Sequence, residues 1–208
     1  MNQEKNEESL GTRVLLIEMA KVFFLAVVII IPVRIFLFQP FFVQGSSMEP
    51  NFQDGQYLII SEFGYKQIRG SMPFLWDWTP YNPLIVPDFR TFARQESVVF
   101  RYPKKFEQFF IKRLIALPGE SIEIKNNRVW IYNKEKSEGF VLDESAYRHE
   151  NSTLEDMPRQ KMADDEYFVM GDNRDASYDS RFFGPVKKEF MIGRVLVRAL
   201  PLSRASMY

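Results

Sequence analysis

The sequence contains no cysteine and a single histidine, His149. The absence of cysteine excludes disulfides, a thiol nucleophile and a cysteine metal site. With one imidazole, a zinc site would need mostly carboxylate ligands, which is uncommon. We interpret His149, which lies in a polar run, as a solvated loop residue. Any nucleophilic catalysis is therefore expected to use a lysine base, with no metal and no other cofactor.

The chain also lacks an excess of charge of either sign. Its 208 residues include 27 Lys and Arg and 27 Asp and Glu, so the formal net charge is zero at pH 7. No basic excess indicates nucleic acid as a partner. The length suits one good-sized domain, or one domain with a large insertion.

A long, clean apolar run is missing as well, although residues 19–38 come close to one. This segment reaches the length of a membrane span only if Lys21 and Arg34 extend to the two interfaces. Pro32 is expected to kink the helix or to end it early. We interpret residues 19–38 as a single transmembrane anchor after a polar tail, residues 1–18, whose first part is expected to fray. A buried soluble helix and a cleavable signal peptide are the alternatives.

Beyond the anchor, short apolar segments alternate with turns. Strands are predicted at residues 57–61, 97–100, 109–117, 121–124, 128–132, 167–170 and 192–197. Asn126-Asn127 marks a hairpin between two of them. Residues 134–166 are charged with few hydrophobic anchors, so residues 121–166 are interpreted as a β-rich, partly loose insertion.

Tryptophans and prolines are concentrated in residues 62–94, where the proline density excludes a regular helix. Trp76 and Trp78 so close to an anchor suggest a loop that touches lipid headgroups. An aromatic cluster packed under a long loop explains the same composition equally well.

Two segments have the residue types of a nucleophile and its base. In Gln44-Gly45-Ser46-Ser47-Met48-Glu49-Pro50, a serine lies among small residues, which leaves the backbone open to a peptide. A simple connecting loop is the alternative. On the strand at residues 109–117, Lys112 shares a face with apolar side chains, so desolvation is expected to lower its pKa toward that of a base. The alternative is a lysine that extends outward from a strand edge.

A polar loop, residues 171–186, follows the apolar strand at 167–170. Its many Asp, Asn and Arg side chains must satisfy one another or bind something. The interspersed arginines argue against a calcium loop. An Asp–Arg network that shapes the loop is therefore expected, with Ser177 and Asp179 on one side if the loop is extended.

Together these segments resemble bacterial type I signal peptidases, membrane-bound serine proteases that use a serine–lysine dyad. The resemblance covers the anchor and four blocks, residues 45–55, 97–100, 110–120 and 170–186. It implies a mainly β fold, a coiled sheet with a smaller inserted β subdomain, and one N-terminal transmembrane helix. The implied divisions are a cytoplasmic tail 1–18, an anchor 19–38, a catalytic domain 39–120 and 167–208, and an insertion 121–166.

The resemblance also implies roles for individual residues. Ser47 matches the nucleophile, Lys112 the general base and Ser177 the serine that orients the lysine. Asp179 and Arg181 match a structural ion pair near the site. Asp172 is a further acidic position of the same block.

An oxyanion hole and a substrate groove are implied around the same serine. The oxyanion-hole residues are Ser47, Gly45 and Ser46, with Gly45 standing where part of the family has a serine hydroxyl. Asn51 and Ala116 are further variants. The substrate-binding residues are Phe42, Val43, Gln44, Met48 and Phe110.

The function implied by the resemblance is removal of signal peptides from exported preproteins by cleavage after small residues, as in Ala-x-Ala. The protein would be a monomer with a single pass through the bacterial plasma (inner) membrane and its catalytic domain on the extracytoplasmic (periplasmic) side. Its partners would be signal peptides and the lipid bilayer. The alternatives are a self-cleaving serine–lysine protease of the same fold, and an inactive membrane-anchored scaffold that binds preproteins.

Overall fold

A computed structural model describes most of the chain. The backbone is described at residues 2–36, 38–62, 68–69, 85–86, 90–149 and 151–208, and the side chains at 13–30, 39–62, 90–149 and 151–208. Residues 1–38 and 39–208 form two compact units. Trp76 and Trp78 lie outside the described residues, so both interpretations of the aromatic segment remain predictions.

The first unit consists of one helix, α1, at Asn2–Phe36. The predicted fraying of the tail is wrong, because the helix begins at Asn2. The tail contains four Glu and three Leu, which favour helix, and no proline interrupts it. The helix also does not end at Pro32 but continues to Phe36.

No helix among the described residues contains a stretch that is long and apolar enough to cross a membrane. The predicted anchor includes residues 31–38, whose side chains lie outside the described part of the chain. An anchor at residues 19–38 therefore stays a prediction.

The second unit is built mainly from strands. In chain order they are β1 Phe38–Phe42, β2 Tyr57–Ser61, β3 Ile68–Arg69, β4 Ile85–Val86, β5 Ser97–Arg101, β6 Phe109–Ala116, β7 Ser121–Lys125, β8 Arg128–Tyr132, β9 Phe140–Val141, β10 Met157–Lys161, β11 Glu166–Met170, β12 Val186–Lys187, β13 Met191–Leu200 and β14 Ser206–Met207. A short helix, α2, spans Ser180–Phe183, and 3-10 turns span Lys188–Phe190 and Leu202–Arg204. The mainly β class is confirmed, and every predicted strand is present.

Eight of the strands form the main sheet. Their order is β1-β2-β13-β5-β6-β11-β12, with β14 paired to β13. Strand β13 pairs antiparallel with β2 and with β5, and the register shifts within both ladders. Such irregularities bend a strand and increase its twist, as a coiled sheet requires.

Both faces of this sheet carry a hydrophobic core. Val98 and Phe100 of β5 are buried in one cluster, whereas Val99 between them is buried in the other. Because neighbouring side chains of a strand point to opposite faces, the two clusters cover the two sides of the sheet. The cluster that holds Val99 also contains Met48, so one core extends beneath the segment that carries Ser47.

A four-stranded sheet, ordered β10-β7-β8-β9, occupies the predicted insertion. Its hairpin turn places Asn126 and Asn127 at positive φ, as the Asn-Asn pair suggested. Its core is continuous with residues of β6 and β11, including Ala116 and Phe168. Whether residues 121–166 form a separate subdomain stays a prediction.

The predicted scarcity of anchors in residues 134–166 is wrong. Four apolar side chains of this stretch are buried in the shared core, namely Leu142, Tyr147, Leu154 and Met162. They are separated by charged and polar residues without strand or helix periodicity. A search for periodic patterns therefore misses them.

Candidate active site

The serine-bearing turn is held by its backbone and by buried apolar side chains. The N–H of Val43 donates to the carbonyl of Gln56 at 2.8 Å, and the N–H of Gly55 donates to the carbonyl of Val43 at 3.0 Å. Met48 and Phe52 are fully buried, and the Phe52 N–H donates to the Met48 carbonyl at 2.8 Å. Ser47 is thus fixed from below while its side chain stays half-buried at the surface.

Lys112 enters this turn from strand β6. Its Nζ lies 2.7 Å from Ser47 Oγ and donates to the carbonyl of Ile111 at 3.0 Å. The Lys112 side chain is buried, and its Nζ is 5.4 Å from the centre of the Phe110 ring. The structure therefore brings together two residues, 65 positions apart, that the family resemblance implies as a pair.

Burial lowers the pKa of Lys112 from 10.5 to about 8. The carboxylates of Asp179 and Asp172 act in the opposite direction, while Arg181 lowers the pKa further. Desolvation has the largest effect because the charged ammonium loses its water inside the protein. Near physiological pH a lysine with this pKa is neutral far more often than a solvated lysine, which makes it available as a general base.

Asp179 organises the polar loop beside the dyad. It accepts hydrogen bonds from Ser177 Oγ at 2.6 Å and from the Gly171 N–H at 2.9 Å. Arg181 donates to it through Nε at 2.8 Å and through Nη2 at 2.9 Å. Asp179 itself is fully buried, so the predicted pair with Arg181 is present as a buried ion pair.

Ser177 was expected to orient Lys112. Its hydroxyl donates to Asp179 and accepts from the Gly171 N–H at 3.1 Å. Among the hydrogen bonds of the described residues, none joins Ser177 to Lys112. The role of Ser177 in orienting Lys112 therefore stays a prediction. It would act through a reoriented Ser177 hydroxyl or through the charge of Asp179.

The polar loop also contacts the nucleophile turn directly. The N–H of Asn173 donates to the Ser47 carbonyl at 3.1 Å. A Cβ on Gly171 would lie 2.4 Å from that carbonyl oxygen and 2.3 Å from Ser177 Oγ. Only glycine allows this approach, so position 171 sets the spacing between the loop and the serine.

Asp172 connects the loop to β6 and to the nucleophile turn. Arg113 binds it through two nitrogens, at 2.6 and 2.7 Å, and the amide of Asn51 donates to it at 2.9 Å. Burial raises the pKa of Asp172, against the effect of the Arg113 hydrogen bonds. The same Asn51 amide donates to the Tyr147 carbonyl at 2.7 Å, which ties the turn to the inserted region.

Sequence reasoning missed a further buried ion pair, between Arg174 and Glu144. The Arg174 side chain is fully buried, and it binds the carboxylate of Glu144 and the carbonyl of Gly171. The Arg174 carbonyl in turn accepts from Arg181 at 2.7 Å. An Asp–Arg network within the loop was predicted, but Glu144 lies in the insertion and no local pattern marks it.

The predicted oxyanion-hole and substrate residues differ in their surroundings. The Gly45 N–H donates to Asp54 at 2.7 Å, so in this conformation it is already in use. Phe42 and Gln44 are exposed and Phe110 is half-buried, and their role in substrate binding stays a prediction. Val43 and Met48 are buried in the core beneath the serine, so they support the turn from within. The remaining catalytic donors, including the Ser47 N–H, stay predictions.

A serine hydroxyl against a buried lysine of depressed pKa, on a mainly β scaffold, is the arrangement typical of serine–lysine hydrolases. The family model of signal peptidase, peptidase S26, matches residues 16–200 of the chain. The chain therefore belongs to the signal peptidase S26 family.

Two relatives of more than 30% identity support this assignment. A probable signal peptidase I-2 of Synechocystis sp. is 31% identical over 92% of this chain and 76% of its own length. Signal peptidase I V of Bacillus subtilis is 32% identical over 81% of this chain and 89% of its own length. A crystal structure of a signal peptidase I from Enterococcus faecalis is 28% identical and covers 50% of this chain and 97% of that one, with a TM-score of 0.41.

Proposed function

We propose that this protein is a type I signal peptidase, a serine endopeptidase that removes signal peptides from preproteins. The observation that carries the proposal is the 2.7 Å separation of Lys112 Nζ and Ser47 Oγ at a lysine whose pKa falls to about 8. Family membership supplies the substrate class, and the dyad supplies the chemistry.

In the proposed mechanism, neutral Lys112 accepts the proton of Ser47 as the hydroxyl oxygen attacks the scissile carbonyl. The Ser47 N–H stabilises the oxyanion of the tetrahedral intermediate. The lysine ammonium then protonates the leaving amine, and the acyl group stays on Ser47. Neutral lysine next activates a water molecule, which releases the shortened peptide and restores the serine.

The substrate binds as an extended strand between residues 41–44 and residues 109–112. These two segments are close, since the rings of Phe41 and Phe109 lie 5.5 Å apart. Backbone hydrogen bonds to an added strand give affinity, and side-chain pockets give specificity. The buried side chains of Val43 and Met48 close the inner side of this groove. Small residues one and three positions before the scissile bond therefore fit it.

The placement of the enzyme is part of the same proposal. Residues 1–18 form a cytoplasmic tail, residues 19–38 anchor the chain in the bacterial plasma membrane, and residues 39–208 work on the extracytoplasmic side. Precursors are cut after translocation, so the serine must lie on that side.

The test uses detergent-purified full-length protein and a precursor with an Ala-x-Ala junction. Wild type, Ser47→Ala and Lys112→Ala are compared, and the cut is located by mass spectrometry. We expect cleavage at the junction by the wild type alone. Equal cleavage by all three proteins would disprove the dyad. Self-cleavage without cleavage of the precursor would favour a self-processing protease, and binding without cleavage would favour a scaffold.

A further inference from the structure

An aromatic surface lies next to the dyad and takes no part in the proposed chemistry. It consists of five rings, here called the aromatic wall: Tyr102, Phe110, Tyr178, Phe182 and Phe183. Phe110 stacks on Tyr102 at 4.8 Å, and Tyr178 stacks on Phe182 at 5.7 Å. Phe183 joins the two pairs, 5.5 Å from Tyr102 and 5.6 Å from Tyr178.

The outer part of the wall is open to solvent. Tyr178 is 48% exposed and Phe182 is 60% exposed. Single exposed aromatic residues are common, but a contiguous patch beside a reactive centre indicates a binding surface. The patch is continuous with the dyad, because Tyr178 follows Ser177 and Phe110 lies under the Lys112 ammonium.

The edge of strand β6 leads from the dyad to this wall. Strand β5 pairs with β6 as far as Phe109, whereas β11 pairs with β6 only at Arg113, Leu114 and Ala116. On the β11 side, residues 109–112 thus have no partner among the described strands. A peptide strand added there is blocked beyond Lys112 by β11, so it continues toward Phe109.

The spacing sets which part of the peptide meets the wall. A strand advances about 3.3 Å per residue. The bound peptide therefore reaches the Phe110 ring about two residues from Lys112, and the outer rings of Tyr178 and Phe182 a few residues later. Signal sequences carry an apolar run before a cleavage site of small residues. When the residues before the cut pair with residues 109–112, as in the proposed binding mode, the order of small residues and apolar run along the peptide matches the order of dyad and aromatic wall along β6.

We infer that the aromatic wall binds the apolar segment of the substrate that lies about five to eight residues before the scissile bond. This inference rests on the proposed function. It adds the apolar upstream segment, as a second determinant of substrate choice, to the requirement for small residues before the cut. Hydrophobic contact with Tyr178 and Phe182 holds the upstream segment while backbone pairing at residues 109–112 aligns the cut.

The test compares two quenched fluorescent peptides with the same Ala-x-Ala junction. One carries leucines and the other serines at positions five to eight before the cut. A third peptide carries the leucines after the cut, as a control for general apolarity. For wild-type protein in one fixed detergent, we expect kcat/KM for the upstream-leucine peptide to exceed that for the serine peptide about tenfold. This factor corresponds to about 60 Å² of apolar surface removed from water.

The double variant Tyr178→Ala/Phe182→Ala is expected to reduce the ratio of kcat/KM between the upstream-leucine and serine peptides to about one to two, because the remaining surface buries little apolar area of the peptide. Tyr178→Leu/Phe182→Leu keeps apolar side chains and should retain most of the preference, which separates lost contact from lost folding. The matched control is Phe106→Ala. Phe106 is 58% exposed and contacts Phe190, outside the wall, so its removal should leave the ratio at the wild-type value.

Each contrary outcome has a distinct meaning. If wild type cleaves none of the peptides, the proposed function itself fails. If it cleaves the leucine and serine peptides with equal kcat/KM, or if the alanine double variant keeps the wild-type ratio, the inference about the wall is wrong. If the double variant keeps the ratio and differs from wild type only in the effect of added phosphatidylglycerol micelles on kcat/KM, the wall contacts lipid and the inference is likewise overturned.

Discussion

The nucleophile turn, residues 43–56, and the polar loop, residues 171–186, contact each other at Ser47, but they are stabilised by different forces. The turn is held by backbone hydrogen bonds and by the buried apolar side chains of Val43, Met48 and Phe52. The loop buries Asp172, Arg174 and Asp179, each of them charged.

This difference follows from what each segment does. The turn presents a neutral hydroxyl, so apolar burial can fix it without altering its charge. The loop surrounds a lysine that must lose and regain a proton, and Asp179 and Asp172 influence the pKa of Lys112 directly. A buried charge costs free energy unless it is paired, so each buried charged group of the loop, Asp172, Arg174 and Asp179, has an oppositely charged partner.

Lys112→Arg should produce the largest effect. Arginine keeps the positive charge but stays protonated at any working pH, so no base remains at the serine. We expect kcat to fall by about 10⁴-fold or more, as when a member of a catalytic unit is removed. Lys105→Arg, at an exposed position before β6, is the matched control and should retain full activity. An active Lys112→Arg protein would show that charge alone suffices and would remove the base from the mechanism.

The loop should depend on its charges far more than the turn does. Asp179→Asn leaves Arg181 without its anion, and the Arg181 side chain is only 12% exposed. We expect a loss of about 3 kcal/mol in the free energy of unfolding, the cost of an unpaired buried charge. Urea denaturation followed by circular dichroism measures the loss.

Asp175→Asn serves as the control for the loop. Asp175 is exposed and accepts hydrogen bonds from Thr153, so the same chemical change should have a much smaller effect. Equal losses in the free energy of unfolding for the two variants would mean that the ion pair between Asp179 and Arg181 stabilises the fold no more than the exposed carboxylate of Asp175 does.

Strand positions were predictable because short apolar segments are bounded by turn residues. Strands β7 and β8 alternate with period two, whereas β5 and β11 are continuous apolar runs that are buried on both faces. Alternation also placed Lys112 among apolar side chains, and its lowered pKa follows from that burial. The meeting of Lys112 with Ser47 was implied only by the family resemblance, since no local pattern states which strands become neighbours.

The links across the fold were not predictable for the same reason. Asn51 reaches Asp172 across 121 positions, and Glu144 reaches Arg174 across 30. Each partner looks like an ordinary loop residue in its own segment. Only the register of the main sheet and the packing of the insertion bring them together.

Removal of the Lys112 charge should stabilise the protein at neutral pH. Its pKa falls from 10.5 in water to about 8 in the folded state, so burial of the ammonium costs stability below pH 8. This cost decreases as the pH rises from 8 to 10.5, where both states become neutral. Lys112→Met keeps the volume and should raise the free energy of unfolding by about 2 kcal/mol at pH 7, after the lost hydrogen bonds are subtracted.

The comparison variant for this effect is Lys125→Met, at an exposed position of β7, which should change stability little at any pH. The gain from Lys112→Met should shrink between pH 8 and pH 10. A loss of stability at pH 7 would show that the lysine hydrogen bonds outweigh the desolvation of its charge.

The pH dependence of catalysis should show the smallest effect. Only neutral Lys112 accepts the serine proton, and its pKa is about 8. We therefore expect kcat/KM to rise about tenfold per pH unit below that value and to level off above it. Because the charge of Asp172 raises the pKa of Lys112, Asp172→Asn should move the midpoint to lower pH. A midpoint that stays fixed in Asp172→Asn would mean that the charge of Asp172 does not act on the lysine, and that burial together with Asp179 and Arg181 sets its pKa.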